Sequence, residues 1–409
     1  MTDSERAAWL VLGKLGYLNG TARPRGGDPV VVVPLQAPLE DGDPVNTVVL
    51  SWDELGEVRL RAGSVDGAHR AEASADGAEI FGDMLPGQAL RVIAAAVSTE
   101  DGLRQPIVPL CYVSAVFEDG RYLAHLYAQI RFLAEDACFI RLTPEPVAVT
   151  GPDDLGWLDE FLDRHAGESL FLNNHQKYYR KCFAGKELEY KYTLEPPVDI
   201  WTLTVELYRR LRAGALSGYL MEYRDEFQAW DYFNHLFQVT APEADRGYVS
   251  FVPTTDGANL VKRKWFESDA FERRESHTYG VRPAAGFDAY VRDELGVSAT
   301  RLPSFRRVRY DVNFESTRTG HVYGIFFDHV SLIEAPEMVL NQCEVEYLRS
   351  RTVLEPDESA VLKEIAEIAT WLEGFLREHG LTDERGYYSK MTFLLDSVAA
   401  RPELAIEVS

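Results

Sequence analysis

The sequence is poor in cysteine and lacks the common ligand spacings. Its four cysteines, Cys111, Cys138, Cys182 and Cys343, are scattered with no CxxC pair, so no disulfide framework is indicated and free thiols in a reducing compartment are expected. Nine histidines are dispersed without an HExxH, which leaves no zinc spacing. His235, His321 and His329 read as hydrogen-bonding side chains. No GxxxxGK[ST] loop and no GxGxxG after a strand is present, which removes the P-loop and Rossmann readings. "GALSGYL" (214–220) fails the GxSxG spacing of a nucleophile elbow. No run approaches the roughly 20 apolar residues of a membrane span. The start, "MTDSERAAWLVLGKLGYL", has acids before its apolar run and predicts an amphipathic helix, not a secretory signal. Cations are the minority charge, 42 Lys and Arg against 65 Asp and Glu. The resulting net charge of −23 and pI of about 4.8 argue against nucleic acid or an anionic membrane as partner. A cytoplasmic protein is expected.

What is present is a globular composition, 46% apolar and 11% aromatic over 409 residues, enough for two domains with cores of their own. Residues 1–150 predict a β-rich domain of unknown role. Short β-branched or aromatic runs at 29–35, 46–52, 91–97, 109–117 and 137–143 are separated by Gly, Pro and Asp clusters. Asp119-Gly120 between two runs predicts a hairpin turn. No chemical constellation is visible in this half. "TGPDDLGWLDEFLDRHAG" then breaks the strand pattern, and Leu155, Leu158, Phe161 and Leu162 make a helical stripe. Residues 151–174 are read as a helical linker and 175–409 as a second domain.

The second half alternates charge and apolar side chains. In "KELEYKYTL" (186–194) Glu187, Glu189 and Lys191 fall two apart, with Leu188, Tyr190, Tyr192 and Leu194 on the other face of a strand. "NQCEVEYLRS" repeats this with Glu344 and Glu346 against Cys343, Val345 and Tyr347. "FRRVRYDVNF" sets Arg307, Arg309 and Asp311 opposite Val308, Tyr310, Val312 and Phe314. "LVKRKWF" pairs Lys262 with Lys264, and "FERRESH" aligns Arg273 with Glu275. Strands are predicted at 247–253, 260–266, 271–279, 305–314, 321–333 and 341–349. Helices are predicted at 198–214 and 359–380, and "GYYSKMTFLL" (386–395) reads as a last strand. "FQAWDYFNHLF" reads as helical core.

A solvated polar face accounts for one such strand. For all of them together, one arrangement fits: apolar faces outward under covering helices, charged faces inward. A dry interior of that kind costs several kcal/mol per ion, so it must be wet and hold a ligand. Paired carboxylates suit a hard divalent cation, Mg²⁺ or Mn²⁺. Lysines and arginines suit a multiply charged anion such as a polyphosphate. The fold class is thus α+β, mainly antiparallel β, with a closed or nearly closed barrel in the second half.

"ELEYK" matches the ExExK strand of the CYTH superfamily, the triphosphate tunnel metalloenzymes, at Glu187, Glu189 and Lys191. Over residues 175–395 the order of strands also resembles that family: ExExK, a helix, KxK, RxE, a basic strand, Asp328 in "FFDHVSL", then ExE at Glu344 and Glu346. The resemblance implies an eight-stranded antiparallel tunnel with flanking helices. It implies metal ligation by Glu187, Glu189, Glu344 and Glu346, with Lys191 and Glu189 catalytic. Lys191, Lys262, Lys264, Arg273, Arg307, Arg309 and Lys390 would grip phosphates, and Glu275 and Asp328 would complete the lining. "YVSFVP" (248–253) is neutral where relatives often carry arginines, and "YSKM" matches the family's last strand only loosely. The insert at 289–305 has no counterpart.

The expected function is hydrolysis of a small triphosphate-containing substrate (inorganic, nucleoside or thiamine triphosphate) by in-line attack of water. Two alternatives stay open. A nucleotidyl cyclase would release pyrophosphate and needs a base pocket, for which Trp201, Trp230, Tyr232 and Phe233 are candidates. A non-catalytic polyphosphate or nucleotide sensor would bind without turnover.

Overall fold

The computed structural model describes residues 5–35, 44–67, 69–77, 107–132, 136–168, 180–195, 197–222, 227–382 and 384–406. The strand expected at 91–97 lies outside them. The chain divides into two compact units. The first is Met1–Arg180 with Thr317–Gly320 and Arg351–Pro356, and the second is Lys181–Ser316, His321–Ser350 and Asp357–Ser409.

The first unit is an antiparallel sheet of β1 (Glu5–Lys14), β2 (Pro29–Leu35), β3 (Thr47–Ser51), β4 (Glu57–Ser64), β5 (His69–Asp76), β6 (Ile107–Glu118), β7 (Arg121–Phe132), β8 (Asp136–Arg141) and β9 (Val147–Val149). Its order is β3-β8-β7-β6-β1-β2-β4-β5, with β9 on β7. The opening segment is a strand, not the expected helix. It pairs β2 on one edge and β6 on the other. Ala8, Leu10 and Leu12 join one apolar cluster, while Trp9 and Val11 join another. A strand buried on both faces shows no alternation, and a continuous apolar run does not distinguish it from a buried helix. Helix α1 (Leu158–Gly167) lays Leu158, Phe161 and Leu162 into the second cluster. Asp119 and Gly120 both adopt positive φ, 50° and 80°, the geometry of the two-residue hairpin turn that joins β6 to β7.

The second unit contains β10 (Lys186–Leu194), β11 (Tyr219–Met221), β12 (Phe227–Ala241), β13 (Gly247–Pro253), β14 (Asn259–Trp265), β15 (Glu272–Val281), β16 (Ser298–Arg301), β17 (Phe305–Ser316), β18 (His321–Leu332) and β19 (Val339–Ser350). Eight of them close a ring, β10-β15-β14-β13-β12-β17-β18-β19 and back to β10. Two long strands make the closure by changing partner along their length. Residues 186–188 of β10 pair β15 and 189–194 pair β19. Residues 227–234 of β12 pair β17 and 235–239 pair β13. At the start of β13, Gly247 has φ 135°, and a Cβ there would lie 2.0 Å from the Lys264 carbonyl oxygen, so only glycine allows this approach.

The apolar faces of β10, β17, β18 and β19 point outward into a single core cluster. Leu188, Tyr192, Phe314, Ile325, Phe327 and Val345 pack there with residues of α2 (Ile200–Arg212) and α3 (Glu358–Glu378). Asp199 caps α2 by accepting from the Thr202 N–H. "FQAWDYFNHLF" is strand β12 rather than helical core: residues 227–234 pair β17 and 235–239 pair β13. The segment expected as a last strand is helix α4 (Lys390–Ala400), whose Ser389 cap accepts from the Thr392 N–H.

Candidate active site inside the strand ring

Period-2 alternation sends the charged rows of β10, β14, β15, β17 and β19 into the ring. One cavity there is lined by Glu187, Glu189, Lys191, Lys262, Lys264, Arg273, Glu275, Arg307, Arg309, Glu344, Glu346 and Lys390, with Tyr232, Asn234, Tyr248, Ser250, His277 and Ser389. Asp328, fully buried, stands behind Arg307 and Arg309. The residues nominated as metal ligands, phosphate contacts and lining therefore belong to one interior, which holds seven cations and, with Asp328, six carboxylates. Of the four aromatic candidates, Tyr232 lines it and Trp201 packs against Phe227 and Tyr310 instead.

Register sorts these charges into two groups. Across β10 and β19, Glu346 is opposite Glu189, and Glu344 is opposite Lys191. Oxygens of Glu187, Glu189 and Glu346 lie within 4.8 Å of one another. Glu344, expected with them, instead joins a cationic group. It contacts Lys191, Arg309 and Lys390, and accepts from Arg307 Nη2 at 3.2 Å. Asp328 accepts from Arg307 Nε at 2.9 Å, Arg309 Nε at 2.7 Å and Lys390 Nζ at 2.8 Å.

The carboxylate group is incompletely neutralised. Glu187 accepts from Lys264 Nζ at 2.6 Å and from Arg273 Nη2 at 3.1 Å. Burial alone would raise its pKa, but Lys264, Arg273 and Lys191 outweigh that and hold it well below the usual carboxylate range. Glu189 pairs with Arg273 and, at 3.0 Å, with Lys191. Glu346 makes no ion pair among the described residues. Burial, with the like charges of Glu187 and Glu275, pushes its carboxyl up to about 8. Three converging carboxylates, one lacking a cation, form a donor set of hard oxygens that suits Mg²⁺ or Mn²⁺.

Lys390 reaches the cavity although its segment is helical. Beyond Leu188 the edge of β10 no longer pairs β15, and there Lys191 exchanges backbone hydrogen bonds with Gly386, at 3.0 and 2.8 Å. Asp269 accepts from the Ser389 N–H at 3.0 Å and the Thr392 hydroxyl at 2.7 Å. The first residue of α4 thus enters the ring. Burial lowers the Lys390 pKa against the pull of Asp328 and Glu344. Lys262 lines the cavity half-buried, opposite His277. Tyr248 and Ser250 were not foreseen as lining residues. Their only signal is alternation with Val249 and Phe251, and without charge that reads as an ordinary strand.

One end of the interior is apolar. Leu236, Phe305, Val330 and Leu340 cluster with Phe393 and Leu394 of α4. Moving away from it along β12 and β17, successive inward pairs are Asn234 with Phe305, Tyr232 with Arg307, and Trp230 with Arg309.

No family model and no curated protein sequence matches the chain. Among solved structures, HpAC1 from Hippeastrum, described as revealing a dominant triphosphatase activity, aligns with 52% of this chain and 96% of its own at 15% identity and a TM-score of 0.29. The S. pombe Pct1 RNA triphosphatase, in complex with the Spt5 CTD, aligns with 55% of this chain and 88% of its own at 15% identity and a TM-score of 0.22. The di-domain ARO/CYC BexL from the BE-7585A biosynthetic pathway covers 89% of this chain and 90% of its own at 10% identity and a TM-score of 0.15. Likenesses this shallow decide nothing about this chain, whose chemistry rests on its own residues. Among the described residues, no helix is long and apolar enough to cross a membrane.

Proposed function

We propose that the second unit is a divalent-metal-dependent hydrolase of triphosphate-containing substrates, and that the strand ring acts as a triphosphate tunnel. The observation that carries this reading is the convergence of carboxylates and cations on one cavity. The trio Glu187, Glu189 and Glu346 shares it with a cation wall of Lys262, Arg307, Arg309 and Lys390.

Glu187, Glu189 and Glu346 would hold Mg²⁺ or Mn²⁺, which when bound polarises phosphoryl oxygens and activates water. Asp328 takes the Nε and Nη2 edge of both Arg307 and Arg309, which would fix their orientation and turn the remaining Nη1 groups toward phosphate oxygens. Lys390 and Lys262 add point charges from other sides. Lys191 lies between Glu189 and Glu344, so it joins the carboxylate trio to the cation wall and faces a phosphoryl group bound between them. The apolar end formed with α4 limits water entry. Such a lining supplies positioning and charge stabilisation, the main needs of phosphoryl transfer.

The test is colorimetric phosphate release from inorganic triphosphate and ATP. Arg309→Met is expected to lower kcat by about 10²–10³, the cost of losing one preorganised donor. Arg306→Met is the control, since Arg306 points away from the cavity and pairs with exposed Asp231. Equal activity in the two variants would refute the assignment. Pyrophosphate with a cyclic nucleotide from ATP would identify a cyclase instead.

A further inference from the structure

Trp230 is a large aromatic in the inward row of β12, yet it is 49% exposed. Its cross-strand partner is Arg309, and the next inward residue toward the apolar end is Tyr232, whose hydroxyl accepts from Arg307 Nη1 at 3.0 Å. Directly paired residues on neighbouring strands project to the same face, so the indole stands beside the guanidinium that grips phosphate. It is exposed because β13 pairs β12 only over 235–239. At residue 230 the strand has lost its neighbour on that side, and the inward face opens to solvent at the end opposite the apolar cluster.

The indole is also held in place. Its Nε1–H donates to Asp311 Oδ2 at 3.2 Å. Asp311 is buried and belongs to the same inward row of β17 as Arg307 and Arg309. A tryptophan anchored by its N–H presents a fixed ring face with no further rotamer entropy to lose on stacking. No packing requirement accounts for leaving so large an apolar surface half in water beside Arg309.

We infer that Trp230 is a stacking platform for a planar ring carried by the triphosphate substrate. Resting on the triphosphatase reading above, this makes the preferred substrate a nucleoside-type triphosphate. Its phosphates lie along Arg309 and Arg307 toward Lys390, and its ring stacks on the indole at the open end. Bare inorganic triphosphate uses the cation wall alone. Trp230 stands on β12 and the carboxylate trio on β10 and β19, so ring recognition and metal ligation are separate functions of the same ring.

The experiment measures affinity and turnover separately for ATP and inorganic triphosphate, with the full chain and Mg²⁺, in wild type, Trp230→Ala and Trp230→Phe. Calorimetry in Ca²⁺ in place of Mg²⁺ gives affinity, and phosphate release gives turnover. Losing one base–aromatic stack is expected to lower the ATP-to-triphosphate affinity ratio by about five- to 150-fold in Trp230→Ala. Trp230→Phe should recover most of the ratio. An unchanged ratio in Trp230→Ala would overturn the inference while leaving the hydrolase reading intact. A ratio that falls as expected in a protein that turns over neither compound would keep the ring site and overturn the hydrolase. If neither compound binds, both are wrong.

Discussion

Replacing Asp328 with Asn removes one negative charge and almost no volume from a fully buried position. Asp328 accepts from Arg307, from Arg309 at both Nε (2.7 Å) and Nη2 (3.0 Å), and from Lys390 (2.8 Å). Asn retains one acceptor oxygen, so part of this bonding survives, but three partly buried cations then share Glu344 as their one remaining carboxylate. Breaking a buried charge pair costs about 3–5 kcal/mol, because the unpaired partner stays desolvated. With one acceptor kept, a loss of about 3 kcal/mol is expected. In urea, for m near 2–3 kcal/mol/M, this moves the unfolding midpoint down by about 1–1.5 M. The double variant Asp328→Asn with Lys390→Met should recover part of the loss, since it removes one of the stranded cations. A midpoint shift below about 0.3 M would refute the view that Asp328 anchors the cation wall, and full additivity in the double variant would show that it does not act through Lys390.

Glu346→Gln should abolish the rise in melting temperature that Mn²⁺ gives the wild type, because it removes the carboxylate with no cation of its own; an unchanged rise would exclude it as a ligand. Gly247→Ala should destabilise the second unit by at least about 2 kcal/mol, given the positive φ and the 2.0 Å approach of a Cβ to the Lys264 carbonyl, and a urea midpoint within error of wild type would contradict this. Burial lowers the pKa of His235 below the ordinary 6.5, with the Arg301 charge adding to it. The unfolded state then binds the extra proton, so stability is full above pH 6.5 and falls as pH drops toward the lowered value. His235→Asn should flatten that dependence between pH 7.5 and 5.5, and an equally steep fall in the variant would remove His235 from the account.

How much of this was legible in the sequence differs strand by strand. β10 could be read because its inward row is charged and its outward row apolar, so a single period-2 pattern carries both strand and site. β1 could not, since Trp9 and Leu10 are buried on opposite faces of one sheet. β12 was misread for a related reason: its inward row holds Trp230, Tyr232, Asn234 and Leu236, and aromatic residues on both faces hide the alternation. Spacing placed Glu344 and Glu346 on one face correctly. It could not separate their surroundings, which depend on strand register: one lies opposite Lys191, the other opposite Glu189. Lys390 was assigned to the cavity, but on a strand. Its entry depends on the Ser389 cap and on the edge that β10 frees at Lys191, and the latter is a long-range pairing that local patterns do not encode.

The central claim is that the ring interior turns over a metal-bound triphosphate. It is tested most directly by following inorganic triphosphate with the purified protein and Mg²⁺ by phosphorus NMR. Orthophosphate and pyrophosphate should grow together, and growth should stop with EDTA and in Glu189→Gln. A folded protein that leaves triphosphate and ATP intact, or product formation indifferent to EDTA and to Glu189→Gln, would contradict the account.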